Sequence, residues 1–269
     1  IIENNDKIFA FEKDEKSFES GIKNFKSEIK NDNLEIFNTS YSEMDKYIPK
    51  SFEGKISGIL FDLGVSSMQL DEAERGFSFK NDGLLDMRFS KKQVITAKDI
   101  VNNYSFEDLK NIFYKYGEER FSARIAKAIC EYREKKEILT TKELADLVLN
   151  KVTSKEKKHP ATRIFQAIRI EVNNELKTFE IGIKKAIKFL KKGGSLVVIS
   201  FHSLEDRIAK KLFQEAASEC ICPKNIPICQ CKKMKELKII TKKPVYPTES
   251  EIQKNYRARS AIMRVAEKI

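Results

Sequence analysis

Asp62, Glu12 and His202 each follow a short apolar run: Gly58-Ile59-Leu60-Phe61, Ile8-Phe9-Ala10-Phe11 and Ser195 to Phe201 respectively. Apolar runs this short, closed by polar residues, read as buried strands. Open α/β sheets bind ligands outside the carboxyl ends of their strands, so all three residues stand where a ligand would sit. A carboxylate there commonly accepts the ribose hydroxyls of a nucleoside cofactor, which suits Glu12. An ordinary helix-start carboxylate, favoured by the dipole, is the alternative. His202 can accept a proton as a neutral imidazole, or it can cap the turn that follows it. A separate chemistry is suggested by Cys220-x-Cys222 and Cys229-x-Cys231, two pairs separated by six residues. Four thiolates can hold a structural zinc ion, although C-x2-C is the usual spacing and four small residues in a turn are the alternative.

The elements that must position these residues follow from hydrophobic spacing. Ile8 to Phe11, Leu34 to Phe37 and Gly58 to Phe61 read as strands, with a helical pattern from Ser17 to Ile29 between the first two. Strand, helix, strand with short links is the parallel α/β arrangement. The pattern then turns to helices alone: Ser105-x-x-Asp108 and Thr140-x-x-Glu143 are capping-box starts, and Ile125, Ile129 and Tyr132 mark a helix between them. Helices without strands between two α/β halves predict an inserted helical domain over 76–170, flanked by core halves at 1–75 and 171–269. From His159-Pro160 one long helix is expected through Ile164, Ile168, Val172, Leu176, Phe179, Ile183 and Ile187, stopping at Gly193-Gly194. Ser203 to Asp206 reads as the capping-box start of the helix after the strand at Ser195. Residues 217–240 form a Cys-rich loop, and Ala261 to Ala266 the last strand.

Composition narrows the partners. The 269 residues carry 51 Lys+Arg against 40 Asp+Glu, a net charge of +11, which favours a polyanionic partner such as nucleic acid. Hydrophobic residues make up 41%, enough for a real core, and no apolar run approaches the ~20 residues of a membrane span. The first residues lack the marks of a signal peptide, so the chain reads as cytoplasmic, where stable disulfides are unusual. Cys130, alone in a helical pattern, reads as core.

Five motifs occur in order: FDLGVSSMQLDEAERGFSFKNDGLLDMR, YGEERFSARIAKAI, HPATRIFQAIRIEVNNEL, ISFHSLEDR and NYRARSAIMRVAEK. Together they resemble, nearly end to end, the RsmH (MraW) family of small-subunit ribosomal RNA methyltransferases. The resemblance implies a Rossmann-like class I methyltransferase core with an inserted helical domain. It implies transfer of a methyl group from S-adenosylmethionine to N4 of a cytidine in the decoding centre of 16S rRNA, with the small ribosomal subunit as partner. By the same resemblance Glu12 matches the ribose-binding acid (usually aspartate in the family), Tyr41 an aromatic beside the adenine, and Asp62 and Gln69 further cofactor contacts. The family's glycine-glycine-histidine loop would precede Ile1, so a chain beginning there is expected to bind cofactor weakly or not at all. A non-catalytic RNA- or ribosome-binding protein that keeps the fold is the rival reading, and a nicotinamide-dependent dehydrogenase finds no supporting motif.

Cytosine N4 is a poor nucleophile because its lone pair is conjugated with the ring, so the site needs acceptors for the amine hydrogens. Asp62 and the Leu63-Gly64 backbone are the first candidates, and His202 the second, as a proton acceptor or a bond to the base edge. Arg75, Arg88, Arg163, Arg257 and Arg259 are candidates for phosphate contact or for ion pairs within the fold, with His159 as an RNA contact or a structural turn. Phe77 and Phe79 can stack on an unpaired base or anchor their own loop.

Overall fold

The computed structural model describes residues 6–152, 159–220, 222, 231 and 233–269. It divides into two compact units, one from residues up to Gly64 together with Leu176 onward, the other from Val65 to Glu175. The helical unit therefore begins before 76 and runs past 170, because Val65, Leu70 and Phe77 already pack on its core.

In the first unit the chain runs through β1 (Ile8–Phe11), α1 (Glu15–Asn24), α2 (Lys26–Lys30), β2 (Leu34–Phe37), α3 (Met44–Tyr47) and β3 (Ile56–Asp62). Buried Asp14 starts α1, its Oδ1 accepting the Ser17 N–H at 2.9 Å. The second unit supplies α4 (Ser67–Asp71), α5 (Ala97–Asn103), α6 (Phe106–Lys115), α7 (Ser122–Arg133), α8 (Thr141–Lys151) and α9 (Ala161–Asn173). The chain then returns to the first unit with α10 (Glu175–Phe189), β4 (Leu190–Ser200), α11 (Ser203–Ala217), β5 (Leu237–Ile239), α12 (Glu249–Lys254) and β6 (Ile262–Lys268).

The fold is Rossmann-like α/β, with its strands in two ladders. β1 and β2 pair in parallel, Ile8 opposite Leu34 through Phe11 opposite Phe37. The larger sheet has the order β3-β4-β6-β5, with β3 and β4 parallel and the other pairs antiparallel. Gly58 to Phe61 thus pairs with β4 and not with the two strands before it. The register slips between Ile56 opposite Leu190 and Gly58 opposite Ser195, and Gly193 takes φ 77 inside that irregularity. The expected helix stop at Gly193-Gly194 is corrected accordingly: α10 ends at Phe189 and the glycines absorb a bulge at the entrance to β4. Phe179, Ile183 and Ile187 of α10 and Leu212 and Phe213 of α11 bury against Leu196 and Val198 of β4. Truncating a buried phenylalanine in such a core costs ~3–5 kcal/mol.

In the second unit, Thr96 and Thr140 close capping boxes at α5 and α8, and Ser105 caps α6 through the Asp108 N–H at 3.1 Å. Leu109, Phe113, Ile129, Leu144, Ile164 and Ile168 meet in its core. The single long helix expected from His159 to Ile187 is two helices, broken at Asn174 with φ 52 and ψ 41. Asparagine enters the left-handed region more readily than most residues, so the apolar period continues in sequence while the axis does not. Arg169 spans the break with a two-pronged pair to Glu175 at 2.8 and 2.9 Å. Buried Asn173 accepts the Phe89 N–H at 2.8 Å and donates to the Met87 and Arg169 carbonyls at 2.8 and 2.9 Å. Those bonds hold the loop around Met87, which sits at φ 59.

Candidate active site

Glu12 and Asp62 stand at the ends of β1 and β3, strands of two separate ladders of the first unit. Glu12, one step beyond β1, donates its N–H to the Phe37 carbonyl at 3.0 Å, while Asn38 donates to the Glu12 carbonyl at 3.1 Å. Its own carboxylate accepts the Asp14 N–H at 2.7 Å through Oε1. The helix-start role belongs to Asp14, and Glu12 stands just before it, half-buried. Four residues past β2, the Tyr41 ring meets Phe61 edge-on at 5.1 Å, and Phe61 meets Phe179 at 5.9 Å. Tyr41 is therefore held against the residue that precedes Asp62.

Gly182 makes that contact possible, and hydrophobic spacing gives it no role. A Cβ there would lie 2.7 and 2.9 Å from two Tyr41 ring carbons and 3.2 Å from Phe61 Cε1. The available signal was a lone glycine in the middle of a helical pattern, a mark of close approach.

Asp62 closes β3 opposite Ile199 of β4, and the next N–H, of Leu63, donates to the Ile199 carbonyl at 3.0 Å. Gly64 follows at φ 96, with space for a Cβ bounded by the Phe201 ring at 3.4 Å. Asp62 keeps an exposed outer side, yet partial burial at the strand end raises its carboxyl above the ordinary range. A carboxylate with that shift is a better proton acceptor than an ordinary aspartate.

His202 lies two residues past β4 and is the N-cap of α11. Its Nδ1 accepts the Glu205 N–H at 3.4 Å, and its Nε2 lies 3.3 Å from Glu205 Oε1. Glu205 in turn accepts the Phe201 and His202 N–H groups at 2.8 and 3.3 Å. The capping box thus opens on His202 and not on Ser203. Through Nδ1, His202 caps the helix that begins after it.

A family model for MraW methylases matches residues 2–269. The chain belongs to the MraW methylase family. Ribosomal RNA small subunit methyltransferase H of Caldicellulosiruptor saccharolyticus is 54% identical over 233 residues, 86% of this chain and 76% of that one. The Clostridioides difficile protein of the same name is 48% identical over 245 residues, covering 86% and 79%, and that of Fusobacterium nucleatum 47% over 233, covering 87% and 74%.

In this MraW methylase the remaining candidates fall into separate groups. Gln69, in the helical unit, is buried in a capping box with Ser66, its Oε1 accepting the Ser66 N–H at 2.9 Å. Arg75 donates to the Arg88 and Phe89 carbonyls at 3.0 and 3.2 Å and lies over the Phe77 ring. Arg88 grips Asp86 with two bonds of 2.8 Å and donates to the Gln93 carbonyl at 2.7 Å. Burial pushes the Asp86 carboxyl up, but the Arg88 bonds and the charges of Arg88 and Arg75 outweigh it, and the carboxyl sits below its usual value. A loop this short of regular structure has carbonyls to satisfy, and Arg75 and Arg88 donate to them.

Phe77 stacks on Phe89 at 5.6 Å, and Phe79 packs on Phe165 and His159 at 4.9 and 4.8 Å. His159 also accepts the Ala161 N–H at 3.2 Å, a structural turn at the start of α9. Arg163, with a side chain 41% exposed, lies 3.6 Å from buried Glu119. Arg120 and Arg124, both exposed, lie over the Phe121 ring at 4.7 and 5.4 Å. The i, i+4 arginines of RFSAR carried that signal. In the first unit Arg257 is exposed, and Arg259 covers the exposed Tyr256 ring at 4.2 Å. Cys220, Cys222 and Cys231 come together, Cys130 packs at the edge of the helical core, and Cys229 lies outside the described residues.

Proposed function

We propose that this MraW methylase transfers a methyl group from S-adenosylmethionine to N4 of a cytidine in the decoding centre of small-subunit (16S) ribosomal RNA, within the cytoplasm. The observation that carries the reading is Asp62: an exposed carboxylate at a strand end, its pKa raised by burial, on a chain whose relatives are small-subunit rRNA methyltransferases. The residues present suit a nucleoside cofactor. Glu12 offers a carboxylate at one strand end for ribose hydroxyls, and Tyr41 offers a half-exposed ring for a base. When bound, that cofactor supplies a methyl group on a positively charged sulfur.

Asp62 would accept a hydrogen bond from the cytosine amine and so orient the nitrogen for attack. With the cofactor bound as methyl donor, Asp62 would take the proton that the cytosine nitrogen sheds on methylation. Orientation of this kind supplies much of the rate in an in-line displacement. The net charge of +11, with Arg163 on one unit and Arg257 and Arg259 on the other, supports an RNA substrate. Arginine over an exposed tyrosine, as at Tyr256, is a surface on which an unpaired base stacks.

The test is the identity of the product. Complete gene product, labelled cofactor and small subunits lacking this modification are incubated, and the rRNA is digested to nucleosides. Label in N4-methylcytidine at one position is expected. Label in any other nucleoside, or none in rRNA, would overturn the reading.

A further inference from the structure

The described residues of the segment between α11 and β5 have no apolar core of their own, yet its ends are closely tied. The Glu236 N–H donates to the Ala216 carbonyl at 2.8 Å, and Lys268 pairs with the Glu236 carboxylate at 3.1 Å. None of its described residues after Ala216 joins either hydrophobic cluster, and Met234 is 80% exposed. Apolar burial does not hold these described residues together.

Three of its cysteines converge. The sulfur atoms of Cys220, Cys222 and Cys231 all lie within 4.8 Å of one another, with Cys220 and Cys231 at 3.8 Å. That separation is far beyond the ~2.05 Å of a disulfide. It is the distance between two ligands on one tetrahedral zinc ion, since bonds of about 2.3 Å at the tetrahedral angle place sulfurs about 3.8 Å apart. Burial does not explain the meeting, because Cys220 is exposed and the other two only half-buried, whereas free cysteines that merely pack are among the most buried residues. The Cys222 N–H also donates to Cys220 Sγ at 3.3 Å, the kind of outer bond that stabilises a metal-bound thiolate.

We propose that Cys220, Cys222 and Cys231 ligate one zinc ion that orders the segment between α11 and β5. The ion replaces the missing core of this segment and takes no part in methyl transfer, so the proposal stands or falls independently of the substrate. The three thiols lose their protons on binding, and no oxidant is required.

The complete protein is reduced, stripped with a chelator, reloaded with zinc, desalted and analysed for metal. One zinc per chain is expected. C220S, C222S and C231S should each lose it, while C130S keeps it. Circular dichroism establishes that each variant retains the fold. Cobalt(II) in place of zinc should give the intense near-ultraviolet charge-transfer absorption of thiolate ligands in the parent protein. Wild-type protein holding less than about a tenth of an equivalent, full metal content in the three serine variants, or cobalt without thiolate absorption would each overturn the proposal.

Discussion

Removing the carboxylate of Asp206 tests how the helix that begins at His202 is held to the sheet. Arg264 lies on β6, opposite Val198 of β4, and its guanidinium meets Asp206 of α11 with bonds of 2.6 and 2.9 Å. The two side chains are only 10% and 19% exposed. Exposed ion pairs contribute about 0–1 kcal/mol, whereas breaking a fully buried one costs about 3–5 kcal/mol because the surviving charge has no partner. The residual exposure places Asp206→Ala between these, at a loss of about 2–4 kcal/mol. Arg264→Met should lose a similar amount, and the double variant clearly less than the sum, with a coupling of at least ~1.5 kcal/mol. Urea unfolding at neutral pH, followed by hydrogen exchange of the β4 and β6 amides, reads the loss in the first unit specifically. Raising salt to 1 M, where the screening length is about 3 Å, should leave most of the coupling in place. Single losses below ~0.5 kcal/mol, or strict additivity, would show that the pair is a surface ornament and refute the reasoning.

Two further outcomes follow from the packing. The Tyr104 hydroxyl donates to Glu171 at 3.0 Å, and burial together with that carboxylate pushes its pKa up from 10.0 to about 12. The folded value exceeds the unfolded one, so this stabilisation is complete below pH 10 and is lost as pH rises toward about 12. Denaturation midpoints across that window should fall more steeply for wild type than for Tyr104→Phe; equal slopes would reject the bond. Gly182→Ala drives a methyl group to 2.7 Å from the Tyr41 ring, an overpacking that costs about 1–3 kcal/mol and turns the ring away from its place beside Phe61. Thermal unfolding and cofactor titration should both weaken, and a variant unchanged in both would show that Tyr41 is not held there.

The strands and caps were legible because each is a local signal. Ile8 to Phe11 and Leu34 to Phe37 announce themselves by composition, and Thr140-x-x-Glu143 by spacing. What the sequence hid depends on partners distant in the chain. Apolar residues continue at helical spacing from Val172 to Leu176, so nothing in the period marks the break at Asn174; the Asn-Asn pair was the one hint, since asparagine tolerates left-handed backbone. Strand pairing is equally non-local: β3 finds β4, more than one hundred residues later, instead of the strands that precede it. At the site, Asp62 stood out as an acid ending a strand. Between the two readings of His202, base or turn cap, the sequence could not choose, because histidine is a rare N-cap and Ser203 beside it is a common one. The bonds of Arg75 and Arg88 to loop carbonyls were not legible, because sequence does not reveal how many loop carbonyls need a donor.

The most direct measurement is the single-turnover rate of methyl transfer to assembled small subunits by wild-type protein and Asp62→Asn, followed across pH. Burial raises the Asp62 carboxyl, so the wild-type rate should climb with pH through an apparent pKa above the usual carboxylate range. Asp62→Asn should be slower by about 10²–10³-fold and lack that climb, with cofactor still bound and the fold intact. A variant that transfers methyl groups at the wild-type rate, with the same pH profile, would contradict the account.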